Sequence, residues 1–143
     1  MKVLVLNGPN LARLDIRDSK YYGDLNWKQL CELISSAATA LGFEADIRQS
    51  DDEATIIGWL HEAADTNTPV IINPAAFTHY SYAIRDAAEL VKAPLIEVHL
   101  SNPMAREEFR HTSVISGIAK GSIAGFGPNS YVLALNALKQ LTA

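Results

Sequence analysis

With 143 residues the chain has the length of one ordinary domain, and 48% hydrophobic with 20% charged residues is a globular composition, unlike collagen, a coiled coil or a disordered segment. A domain of this size buries close to ~70% of the surface its unfolded form exposes, so residues 1–143 read as one unit. A net charge of -4 provides no basic footprint for a phosphate backbone, which argues against nucleic acid as a partner.

The first apolar run, Val3 to Leu6, reads as a strand. Preceded only by Lys2, it is far too short for a signal peptide or a membrane span; no membrane partner is expected, and the expected compartment is the cytoplasm. From Trp27 to Leu41 the set Leu30, Leu33, Ile34, Ala37, Ala38 and Leu41 keeps a helical spacing with one buried stripe, stopped by Gly42. The single cysteine, Cys31, lies beside this stripe; it has no internal disulfide partner and is expected to be a buried thiol in a reducing environment. Phe43 to Arg48 is the second strand. Ser50 and Glu53 then stand at capping-box spacing, opening a helix with Ile56, Ile57, Leu60, Ala63 and Ala64 inside. Pro69 to Ile72 is a third strand, apolar on both faces as a central parallel strand requires, and it breaks into Asn73 and Pro74. A helix from about Tyr80 to Val91, a fourth strand from Pro94 to Val98, a short fifth from Ser122 to Phe126 and a helix from about Asn129 to Leu141 complete the chain. Such alternation is the sign of parallel βαβ units and favours an α/β fold, a flavodoxin-like doubly wound sheet of five parallel strands.

In sheets of this kind ligands bind outside the carboxyl ends of the strands, and the polar groups there are informative. After strand one come Asn7, Gly8, Pro9 and Asn10, then Arg13, Arg17 and two tyrosines, a loop over about residues 8–25. Its length of about 18 residues far exceeds the usual ~4–6 of a βα connection and suggests a lid or binding segment. Asn73, Thr78 and His79 follow strand three; His99, Ser101 and Asn102, then Arg106 and Arg110, follow strand four. Each has a plainer reading: Asn73 opening a turn, His79 capping a helix, Tyr22 covering apolar surface. Arg106 and Arg110, one helical turn apart beside Glu107 and Glu108, are equally readable as a solvated ion-pair face.

Several chemistries lack their parts. Gly125-Phe126-Gly127 is only a fragment of a dinucleotide fingerprint, and neither a lysine-bearing phosphate loop nor a GxSxG elbow occurs. His61, His79, His99 and His111 show no metal-ligand spacing. A phosphoacceptor domain of this fold needs a carboxylate where Asn73 ends strand three. Acid–base work on an anionic, hydroxylated small molecule remains. A phenol with its ordinary pKa of ~10 serves as a base at neutral pH only beside a cation, and Arg17 is the candidate for Tyr22.

Asn7-Gly8-Pro9-Asn10-Leu11, Arg17, Tyr22-Gly23, Arg48-Gln49-Ser50, Ile72-Asn73-Pro74-Ala75-Ala76-Phe77-Thr78-His79, Arg85-Asp86, Glu97-Val98-His99-Leu100-Ser101-Asn102, Arg106-Glu107-Glu108-Phe109-Arg110 and Gly125-Phe126-Gly127 run in order along the chain. This set resembles the type II 3-dehydroquinate dehydratases. The resemblance implies a lyase, a cofactor-free and metal-free hydro-lyase that removes water from 3-dehydroquinate by reversible anti elimination through an enolate, giving 3-dehydroshikimate in the shikimate pathway or in quinate breakdown. It implies Tyr22 as the base, Arg17 keeping it ionised, Asn10 holding a water at the enolate oxygen, and His99 as the acid oriented by Glu97. Asn73 would lie beside that acid, the backbone of Leu100 and Ser101 would receive the substrate carboxylate, and His79 and Arg110 would bind ring hydroxyls. Asp86 would reach the site of a neighbouring subunit in a homo-oligomer, a dodecamer built as a tetramer of trimers.

The lid departs from the family pattern: Asp15 replaces a usual glycine, Ser19-Lys20 replaces a Pro-Glu or Pro-Gln pair, and Ala12 stands where Asn is common. Ser130 replaces a glycine before Tyr131, at the start of the last helix. Two alternatives stay open from the sequence: a non-catalytic binding module that retains the pocket, and another cofactor-free lyase or isomerase accepting a different cyclic hydroxy acid.

Overall fold

Alternation along the first strand divides the molecule. In the computed structural model, which describes residues 1–143, β1 (Lys2–Asn7) sends Val3 and Val5 to one face of the sheet and Leu4 and Leu6 to the other, all four buried. β2 (Glu44–Gln49), β3 (Val70–Asn73), β4 (Leu95–His99) and β5 (Gly121–Ala124) complete a fully parallel sheet in the order β2-β1-β3-β4-β5. α2 (Trp27–Ala40) and α5 (Asn129–Leu141) cover one face; α3 (Glu53–Thr66) and α4 (Tyr82–Glu89) cover the other. The flavodoxin-like expectation holds, and each fully buried Leu or Ile of these layers contributes about 1.5–3 kcal/mol. The strand order reverses between β1 and β3, where a crevice opens at the carboxyl edge.

Some local expectations change. Ser50 does not cap α3: its Oγ accepts the N–H of Asp52, the cap position falls to Asp52, and the Glu53 carboxylate accepts the Ser81 hydroxyl instead. The capping box present in the fold belongs to α2, where Asn26 and Gln29 exchange side-chain-to-backbone bonds of 2.8 and 3.0 Å. α4 begins two residues later than periodicity predicts because the Ser81 side chain accepts the Ile84 N–H, and residues Ala75–His79 form a 3-10 turn. β5 ends at Ala124, where Gly125 turns to φ 95°. Cys31 is half-buried, and burial pushes its thiol pKa up. Ser130 does not disturb α5, which spans the predicted residues; its buried hydroxyl accepts the Phe126 N–H and ties down the preceding turn.

No helix is long and apolar enough to cross a membrane.

Candidate active site

Three neighbouring strands end on a polar residue: Asn7 from β1, which is fully buried, and Asn73 from β3 and His99 from β4, which line the crevice. Asn7 and Asn73 are register partners. The loop after β1 must then pass under the turn after β3. Gly8 allows this, since a Cβ there would lie 2.5 Å from the Pro74 carbonyl oxygen. Gln49 and Asp51 pin the loop from the other side: Gln49 Nε2 donates to the Gly8 carbonyl at 3.1 Å, and Asp51 Oδ1 accepts the Asn10 N–H at 2.9 Å.

The loop after β1 carries a 3-10 turn, Leu11–Arg13, and a single helical turn, α1 (Ser19–Tyr22). Asp18 caps α1 through the Lys20 N–H, and the turn ends at Gly23 with φ 82°, leaving Tyr22 buried against the core. Asp15 has no left-handed backbone, so the usual glycine is not required there; its carboxylate pairs with Arg13 on the exposed side of the loop, at 3.0 and 3.2 Å.

Two guanidinium groups meet at one phenol. Arg17 lies over the Tyr22 ring, 3.6 Å from its centroid, and donates to Oη through Nη2. Arg106 donates to the same Oη from Nη1 at 2.7 Å and to Ser101 Oγ at 3.3 Å. Two cationic donors keep the Tyr22 oxygen in the acceptor role that a base requires. Burial pulls the Arg17 pKa below its usual value; repulsion from Arg106 and Arg110 acts with burial, while Tyr22 opposes it. Tyr131 provides the contrast. It is fully buried, donates to Asn7 Oδ1 at 2.6 Å and accepts from Asn73 Nδ2 at 2.9 Å, and burial pushes its pKa up, so it stays a neutral structural phenol.

Opposite the phenol, His99 Nε2 bonds Glu97 Oε2 at 2.5 Å. Glu97 is only 1% exposed. Burial alone would raise its pKa, but hydrogen bonds from His99, Ser116 and Thr78 and the charge of His99 outweigh that and hold it below the usual carboxylate range. An ionised Glu97 accepts, so Nε2 of His99 carries its proton and Nδ1 is the nitrogen left for the crevice. His79 donates from Nδ1 to the Thr112 carbonyl at 2.8 Å, and burial lowers its pKa; it is neutral at pH 7, with Nε2 free to accept.

One pocket is lined by nine of the residues singled out from the sequence: Asn10, Arg17, Tyr22, Asn73, His79, His99, Leu100, Ser101 and Arg110. Glu97 stands behind His99. Asp86 does not join them: it is on the exposed side of α4, 75% exposed, with Arg85 at 3.7 Å. No group of three or more His, Cys, Asp or Glu side chains is arranged to hold a metal ion.

The solvated ion-pair reading of the Arg106–Arg110 segment is half right. Arg110 pairs with Glu107 at 2.5 Å, but Arg106 turns inward, its side chain 8% exposed. The reason is local: residues 103–111 are not a helix but two 3-10 turns, Pro103–Ala105 and Glu108–His111, with Arg106 extended between them. Helical spacing therefore misassigned its face. Its Nε is buried without a hydrogen-bond partner, Glu107 being 4.0 Å away. Tyr131 and the Ser113 and Ser116 hydroxyls beside Glu97 escaped the sequence reading, the first because it sits in an apolar helical stripe.

The sequence profile described as dehydroquinase class II matches residues 1–139. A 3-dehydroquinate dehydratase of Salinispora tropica is 54% identical over 138 residues, 96% of each chain. One of Mycobacteroides abscessus is 52% identical over 135 residues, 94% of each. The crystal structure of a type II dehydroquinase from Propionibacterium acnes superposes with a TM-score of 0.95 at 49% identity, covering 97% of this chain and 96% of that one.

Proposed function

The chain belongs to the class II dehydroquinase family, and from that membership we propose that it dehydrates 3-dehydroquinate to 3-dehydroshikimate by reversible anti elimination through an enolate. One observation carries the assignment of roles: the Tyr22 oxygen, held by Arg17 and Arg106, shares a pocket with an imidazole backed by an ionised carboxylate. The phenolate oxygen takes the proton next to the ketone, and the C–H electron pair forms the enolate. Asn10 and a water it holds steady the enolate oxygen. Collapse of the enolate breaks the C–O bond; the departing hydroxyl takes the Nδ1 proton of His99 in its doubly protonated, imidazolium form and leaves as water, and His99 is left neutral with its remaining proton on Nε2 against Glu97. Return of a proton from Tyr22 to His99 through solvent resets the site. No redox change occurs, so both transfers are within reach of side chains alone.

Asn73 lies beside the acid, and the backbone at Leu100 and Ser101 receives the substrate carboxylate. His79, accepting at Nε2, and Arg110, donating, read ring hydroxyls. Asp86 of the partner subunit completes the site in a homo-oligomer, a dodecamer of four trimers; the unpaired, buried Arg106 Nε supports an acceptor arriving from outside the chain. The working compartment is the cytoplasm.

The test is absorbance of the conjugated enone when purified protein meets 3-dehydroquinate in the presence of chelator. A signal that also survives borohydride supports the reading; none of Lys2, Lys20, Lys28, Lys92, Lys120 or Lys139 lines the pocket to form a Schiff base. Silence from assembled protein overturns it.

A further inference from the structure

Glu97 receives more hydrogen bonds than orienting one imidazole requires. Thr78 Oγ1 donates to its Oε2; Ser113 Oγ lies 2.9 Å from Oε1 and 3.1 Å from Oε2; Ser116 Oγ donates to Oε1 at 2.5 Å. With His99 Nε2 on Oε2, four donors converge on a carboxylate that offers about four lone-pair sites. The three hydroxyls come from two separate segments, Thr78 from the turn after β3 and Ser113 and Ser116 from the connection leading to β5.

A proton count shows what this arrangement does. Each hydroxyl has one hydrogen: Ser116 has no partner for it but Glu97, while Thr78 and Ser113, whose oxygens are 2.9 Å apart, can each give theirs to Glu97 or one of them to the other. Ser113 Oγ also accepts the backbone N–H groups of Ile115 and Ser116, at 3.1 and 3.0 Å, so it has no room for another incoming proton. A protonated Glu97 would have to turn Thr78 or Ser116 from donor to acceptor and so lose one of the bonds that the ionised carboxylate receives. The carboxylate is therefore fixed in its ionised form, and with it the proton on His99 Nε2.

We propose that Ser116 and Ser113, with Thr78, are positioning residues for the dehydration: their hydroxyls lock Glu97 as an acceptor and thereby keep a proton on His99 Nε2, so that Nδ1 is the nitrogen that is protonated in the imidazolium and delivers that proton to the leaving hydroxyl. The proposal rests on His99 being the acid. Proton transfer ends at His99; Glu97 takes no proton at any step, and no relay runs through the cradle.

Ser116 gives the clean test, because its hydroxyl bonds only Glu97, whereas Ser113 also supports the backbone. In the assembled enzyme Ser116→Ala is expected to lower kcat about ten-fold with KM within about two-fold, since the lost bond is to a charged group. The ¹⁵N spectrum of neutral His99 should change from one tautomer, protonated at Nε2, to a mixture. Ser116→Thr, which keeps the hydroxyl, should restore both. Circular dichroism and size-exclusion chromatography establish that the variants fold and assemble. An unchanged tautomer or an unchanged kcat in Ser116→Ala overturns the proposal, as does a fall in kcat that Ser116→Thr does not reverse. Failure of the dehydratase reading itself is distinct: the wild-type enzyme would then produce no enone.

Discussion

Arg106 Nη1 donates to Tyr22 Oη at 2.7 Å although 84 positions separate the two residues. The bond ties the loop after β1 to the segment after β4, so the proposed base is held by a cation from its own loop and by another from the scaffold. Nη1 also reaches Ser101, while the planar guanidinium lies over the Tyr21 ring, 4.3 Å from its centroid, a stacking that a flexible ammonium does not reproduce. Arg106→Lys is expected to lower kcat by about 10²-fold, the scale of losing a preorganised charged donor. Steady-state kinetics on assembled protein decides; a loss under about three-fold would show that Arg17 suffices.

Tyr22→Phe removes the proton acceptor and keeps the ring, which packs in the core beside Leu11 and Leu14. Turnover should fall to background while the melting temperature and oligomeric state stay near wild type. Retention of more than about a tenth of kcat would assign the base to another group.

These two residues mark the boundary of what the sequence discloses. The crevice was legible because parallel strands are apolar along their length and end abruptly: Ile72 gives way to Asn73 and Val98 to His99, so the strand ends announce themselves. Tyr22 and Arg17 were legible because a long loop carried both within five positions. Arg106 was not, because its inward direction depends on an extended residue between two 3-10 turns, which no periodicity encodes. Ser113 and Ser116 look like any hydroxyls in a polar connection until Glu97 is seen to be buried. Asn7, named at the end of the first strand without a role, proves to be the far end of a buried chain of amides and phenol running through Tyr131 to Asn73.

Tyr131→Phe tests that chain. Removing the hydroxyl leaves Asn7 Oδ1 and one Asn73 Nδ2 hydrogen unpaired in the core, at a cost of about 1–3 kcal/mol. Chemical denaturation should show that loss. Because Asn73 faces the pocket, KM should rise as its amide loosens. A variant as stable as wild type would mean that buried water replaces the hydroxyl.

Asp15→Gly is expected to change little, despite restoring the family's usual residue. Asp15 needs no left-handed backbone, and its pair with Arg13 is exposed, so solvent screens it to little effect. kcat and KM within about two-fold of wild type are expected. A several-fold rise in kcat in Asp15→Gly would instead identify the Arg13–Asp15 pair as a brake on lid movement.

The ionisation of Glu97 has a consequence for acid stability, separate from catalysis. Its pKa is held below the usual carboxylate value of 4.5, so the folded state binds a proton less readily than the unfolded chain. The resulting stabilisation is fully present above pH ~4.5 and is lost as pH falls through the lowered folded value. Glu97→Gln resembles the protonated side chain and has nothing to lose there, while presenting an amide to a cradle of donors. Wild type should therefore be the more stable protein at pH 7, by about 3–5 kcal/mol, the range for losing one member of a buried charged pair. The gap should narrow as pH is lowered below ~4.5. Thermal melts of both proteins from pH 7 down to about 3 measure it, and exposed acids common to the two, such as Asp52 and Glu107, cancel in the difference. A gap that stays constant across that range would mean that the buried carboxylate stabilises the fold by shape alone, not through its charge.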